Sequence, residues 1–170
     1  PMSDEDNKSA LKLTFSGVQV DLKPSDHYFD ADWQTLQFSV LWAFEAIASA
    51  DKKVDEKERA AFTDALAKAP SDKLTGHVFA AVRDNLAALS EARTADKRDP
   101  LRGLSDVEAL LRRYPSRDEA KAFRQALIDM ATRIAEASGG GLFGLGSKVS
   151  DEEAGAIGKI CRIFGLPVPR

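Results

Sequence analysis

Residues 47–62, IASADKKVDEKERAAF, decide how this chain folds. They close one apolar segment, cross a charged turn and open another. Within 51–58, four carboxylates and three lysines crowd together, and Asp55 stands three residues before Glu58. An Asp or Ser followed three positions later by Glu is the pattern of a reciprocal helix cap. The first side chain accepts from a first-turn N–H, and the glutamate reaches back to the cap residue's own N–H. One helix therefore ends near residue 50 and another begins near 55.

The same arrangement returns at 134–157, IAEAS…SKVSDEEAGAI, once GGGLFGLG (139–146) is set aside as an insertion. Ile47 then matches Ile134, Asp51 matches Ser138, Val54 matches Val149, Asp55 matches Ser150 and Glu58 matches Glu153. Phe62 falls on Ile157. Each unit is an apolar helix, an acidic turn and a second apolar helix. Two copies are too few for a solenoid, where about three or more are needed. They read as pseudo-symmetric helix–turn–helix halves that close one core together.

Working outward, 31–50 carries Trp33, Leu36, Val40, Phe44 and Ile47 at helical spacing, with Phe38, Leu41 and Trp42 widening the stripe. A helix apolar over so much of its circumference is central and buried. Further helices are expected near 55–68, 72–91, 105–113, 117–137 and 151–164. Ser105 with Glu108, Ser116 with Glu119 and Ser150 with Glu153 repeat the capping pattern. Pro70, Pro100, Pro115 and Pro167 fall between or beyond these segments, and Gly165 stands where a helix-ending glycine belongs.

Ahead of them, ALKLTFSGVQVDLK (10–23) alternates apolar residues and switches phase at Ser16-Gly17. A turn there pairs Phe15 with Val18, Leu13 with Val20 and Leu11 with Leu22 on one face. The expected organisation is a disordered acidic start over 1–9, a hairpin and connection packed on the domain over 10–30, and a helical domain over 31–170. The fold class is all-α, a compact bundle of about six or seven helices with a small N-terminal β-hairpin.

Composition narrows the function. With 170 residues, 44% hydrophobic and 30% charged, the chain has enough apolar material for one ordinary globular core. A net charge of −3 gives no general attraction to nucleic acid, and 83–117 mixes eight basic with six acidic residues. The apolar run at 36–50 is interrupted by Gln37, Ser39, Glu45 and Ser49, so no membrane insertion is expected. Pro1 ahead of Met2 reads as a cleavage remnant, and the acidic, polar start that follows does not read as a signal peptide. A single cysteine, Cys161, agrees with a reducing compartment, and a cytoplasmic location is expected. It shares a helical face with Ile157, Ile160 and Phe164, which marks a buried structural thiol. His27 and His77 have no Cys or second His at zinc-ligand spacing.

The string ASADKKVDEKE, of the form A-x-A-D-x-x-V-x-x-x-E, resembles the signature of the tellurite-resistance TerB family, and KVSDEE with the closing IFGL is similar to its second half. The resemblance covers roughly 33–166. It implies a compact all-helical, non-enzymatic module in stress response or metal sensing, with acidic residues clustered on one surface. By position, it carries over to Asp51, Asp55, Glu58 and Glu153; Ser138 departs, standing where the second motif has its first aspartate.

Two readings of the acidic turns follow. In one, Asp51, Asp55, Glu58 and Glu153 hold a divalent cation, Ca²⁺ before others, with backbone and water oxygens completing the shell. The spacing is not that of an EF-hand loop. In the other, Asp55 and Glu58 only cap a helix and Asp51 ends the preceding one in solvent. GGGLFGLG contains a formal G-x-G-x-x-G, but a helix rather than a strand precedes it, against dinucleotide binding. Its Leu142, Phe143 and Leu145 form an apolar finger for the domain's own surface or for a partner. The expected partner is another protein of a stress-response complex. The alternative function is a metal-free interaction or scaffold domain using the acidic surface and the apolar glycine segment.

Overall fold

The computed structural model of the protein describes residues 12–15, 17–51, 54–69, 73–138 and 149–169. Among these are seven α-helices: α1 (Asp30–Ala48), α2 (Glu56–Ala67), α3 (Lys73–Asp84), α4 (Leu86–Ala95), α5 (Pro100–Arg112), α6 (Arg117–Ser138) and α7 (Asp151–Phe164). Strands β1 (Lys12–Phe15) and β2 (Val18–Asp21) precede them and pair antiparallel, Leu13 opposite Val20 and Phe15 opposite Val18. Leu11 lies outside the described residues.

Helix α1 is the axis of the bundle. Leu36, Val40, Trp42, Ala43 and Ile47 are fully buried, and Phe38 nearly so. It packs against α3, α4, α5, α6 and α7, which accounts for apolar residues on all sides of it. Helix α6 is the second long element, burying Phe123, Leu127, Met130 and Ile134 at helical spacing. The shorter helices cross over: α2, which follows α1 in sequence, packs on α6 and α3, while α7, which follows α6, packs on α1, α5 and α6. This crossing brings the two acidic turns to the same end of the bundle.

Gly103 explains how closely α5 approaches α1. A Cβ on it would lie 2.5 Å from the Trp42 indole carbons, so only a glycine leaves room for that ring. Arg98 lies over the same ring, its guanidinium 4.8 Å from the centroid. Arg98 also donates to Asp96, Asp106 and Thr35, fastening the connection between α4 and α5 onto the central helix.

Three expectations need correction. The single helix expected over 72–91 is two, broken at Asn85, whose backbone leaves the helical region at φ −127° and ψ 27°. Its side-chain amide donates to the Ala81 carbonyl alongside its own backbone N–H, a local side-chain bond of the kind asparagine offers at a helix end. The helix expected from 105 starts at Pro100. Asp99 caps it, accepting from Leu101 and Arg102 at 3.1 Å, and the proline takes the first helical position, where its missing N–H costs nothing. Ser105 is therefore inside α5 with its hydroxyl on the Leu101 carbonyl, and Glu108 turns to Arg112 and Arg124 rather than to a cap.

The other starts hold. Asp55–Glu58 and Ser150–Glu153 form complete capping boxes, and the Ser116 hydroxyl accepts from the Glu119 N–H. Gly165 closes α7 at φ 67°, with the Leu166 N–H bonded to the Cys161 carbonyl.

Candidate metal centre

The first half of the centre is built by the turn between α1 and α2. Asp55 Oδ1 accepts the Glu58 N–H at 2.8 Å, and Glu58 Oε2 accepts the Asp55 N–H at 3.0 Å. That reciprocal pair draws the Glu58 side chain back over the helix start, where it is fully buried. The second half repeats the geometry at α7. Ser150 Oγ accepts the Glu153 N–H at 3.1 Å, Glu153 Oε1 accepts the Ser150 N–H at 3.2 Å, and Glu153 is also buried.

The crossing of the helices sets these starts against each other. Carboxylate oxygens of Asp51, Glu58 and Glu153 lie within 4.8 Å of one another, with Asp51 exposed at the mouth. The donors are all hard oxygens, which suits Ca²⁺, Mg²⁺ or Mn²⁺ rather than a thiophilic metal. Both glutamates also sit in the first turn of a helix, where the helix dipole favours negative charge.

Among the described residues, negative charge at the centre outweighs positive. Glu58 Oε1 is buried and has no hydrogen-bond partner among the described residues. Among those residues no lysine or arginine is ion-paired with Glu58 or Glu153. Burial pushes the Glu58 carboxyl above its usual 4.5; the Asp55 N–H opposes that shift, and the charges of Asp55, Asp51 and Glu153 add to it. A buried carboxylate beside another needs a proton or a cation to offset its desolvation.

Of the residues singled out in the sequence, Asp51, Glu58 and Glu153 come together, and Asp55 does not join them. It is engaged as the cap of α2. Ser138, the departure in the second half, donates to Glu153 Oε2 at 2.7 Å, a contact that sequence reasoning missed. The signal was its alignment with Asp51. Leu142, Phe143 and Leu145 lie outside the described residues. Cys161 is fully buried and its thiol is pushed up by burial. His27 stands edge-on to Tyr114 at 5.5 Å, while His77 is exposed on α3. No helix among the described residues is long and apolar enough to cross a membrane.

No protein-family model and no solved structure matches the chain. It is 32% identical over 124 residues to the uncharacterized protein ORF11' of Methanothermobacter thermautotrophicus, in a match that covers 67% of this chain and 79% of that protein.

Proposed function

The chain belongs to the same family as the Methanothermobacter protein, and for the centre it carries we infer that it is a non-enzymatic module binding a divalent cation, Ca²⁺ before others, through Asp51, Glu58 and Glu153. The observation that carries this reading is the buried Glu58 Oε1, which has no partner among the described residues, within a cluster of three carboxylates. A cation there satisfies that oxygen and offsets the repulsion between the glutamates. The reading extends to the TerB-like signature in 47–62 and 134–157, with α1–α2 and α6–α7 as pseudo-symmetric halves. On it, the protein is a cytoplasmic stress-response module that works with another protein of a stress-response complex.

Calorimetric titration with Ca²⁺, Mg²⁺, Mn²⁺ and Zn²⁺ tests it. Saturable Ca²⁺ binding is expected, lost in Glu58→Gln. If millimolar amounts of all four leave both the heat signal and the melting temperature unmoved, the acidic turns are caps and nothing more.

The second reading is a metal-free interaction domain. It is favoured by an apolar groove of about 540 Å³ where the end of α1 meets the starts of α5 and α7, with Ala46, Ala50, Leu101 and Ala156 in its walls and Asp99 and Lys159 among its polar residues. The same titration separates the two readings.

A further inference from the structure

Resting on the cation reading of the centre, we propose that Ser138 is a positioning residue that presents Glu153 to the ion through a single oxygen. The two glutamates stand at matching places in α2 and α7, yet their oxygens are used differently. A carboxylate offers about four lone-pair directions. Glu58 gives one, on Oε2, to the Asp55 N–H, and among the described residues nothing meets its Oε1. Glu153 is committed three times over. Its Oε1 meets the Ser150 N–H at 3.2 Å and the Ser150 hydroxyl at 2.9 Å, while among the described residues Oε2 meets only the Ser138 hydroxyl at 2.7 Å. The direction left for an ion is therefore on Oε2, the oxygen that Ser138 holds. Glu58 is free to ligate with both oxygens, and Glu153 with one.

The Ser138 hydroxyl has one proton and two acceptors, Glu153 Oε2 and the Ala135 carbonyl at 2.9 Å. An ionised carboxylate outcompetes a neutral carbonyl for it, because charge-assisted bonds are roughly twice as strong. Without Ser138, the Ser150 contacts fix only Oε1, and Oε2 can swing out of the centre. The position that Asp51 fills with a ligand in one half thus carries, in the other, the group that aims one.

The experiment is Ca²⁺ calorimetry on the full chain and on Ser138→Ala and Ser138→Thr, with Tb³⁺ luminescence lifetimes to count water on the bound ion. Ser138→Ala should weaken Ca²⁺ binding roughly 10- to 100-fold, the usual effect of removing an outer-shell partner, and should add water to bound Tb³⁺. Ser138→Thr, which keeps the hydroxyl, should restore both. Ser138→Ala binding within twofold of the unmutated chain overturns the proposal, as does a Ser138→Thr variant as weak as the alanine. An unmutated chain that takes up no Ca²⁺ fails before any variant is compared, and that result removes the cation reading itself.

Discussion

Asp51 and Asp55 lie in one turn but touch different things, and mutation should separate them. Asp55 holds the α2 N–H of Glu58, a task that a serine oxygen performs as well. Asp55→Ser should leave stability within a few tenths of a kcal/mol, whereas Asp55→Ala should cost about 0.5–2 kcal/mol in urea unfolding. Because Asp55 is spent on the cap, Asp55→Ser should also leave Ca²⁺ affinity close to that of the unmutated chain. Asp51→Asn, by contrast, should weaken Ca²⁺ binding in calorimetry while the fold stays intact. Glu58 supplies a pH test. Its carboxyl is raised above 4.5 in the folded protein, so the folded state holds that proton more tightly than the unfolded chain does. The resulting stability is complete below the ordinary carboxylate range and is lost as pH rises through the raised value. In chelator, the unfolding free energy should therefore fall over that interval, and Glu58→Gln should flatten the slope.

Helix α5 is held to α1 by a fit that substitutions should expose. Gly103→Ala drives a Cβ into a fully buried indole that cannot yield, and overpacking of that kind costs roughly 1–3 kcal/mol. Arg98→Ala should also destabilise, and Arg98→Lys should not rescue it, since a lysine cannot reproduce the fork that meets Asp96, Asp106 and Thr35. Both are read as shifts in the urea midpoint. At this scale the sequence was legible wherever the cause was local. The boxes at Asp55 and Ser150 and the glycine at 165 mark ends because the groups that cap a helix lie within a few residues of it. The break at Asn85 was hidden because Leu74, Val78, Val82, Leu86 and Leu89 keep helical spacing straight across it. The start of α5 was misplaced because Pro100 reads as a boundary when it is the first helical residue. In the centre, the repeat paired Glu58 with Glu153, but convergence of their oxygens depends on the crossing of α2 and α7, which no local pattern encodes.

Across the whole molecule, a ligand that binds only the folded state raises stability by an amount that grows with its concentration over Kd, about 2.7 kcal/mol at a hundredfold excess. Ca²⁺ should therefore raise the melting temperature progressively with concentration, and Asp51→Asn should shift that rise to higher concentrations. The reciprocal caps give the centre one more property, which lies in time rather than in free energy. Asp51 and Glu153 belong to opposite parts of the chain, so an ion held by both is a removable crosslink around most of the fold. Its ligands assemble only when α2 and α7 have both been laid against α6, and the expected order places that step late on the way to the native state. An interaction made that late slows escape from the native state more than it speeds arrival. Loaded with cation, the protein should refold at nearly its cation-free rate and resist proteolysis for far longer, with persistence governed by how often the ion leaves.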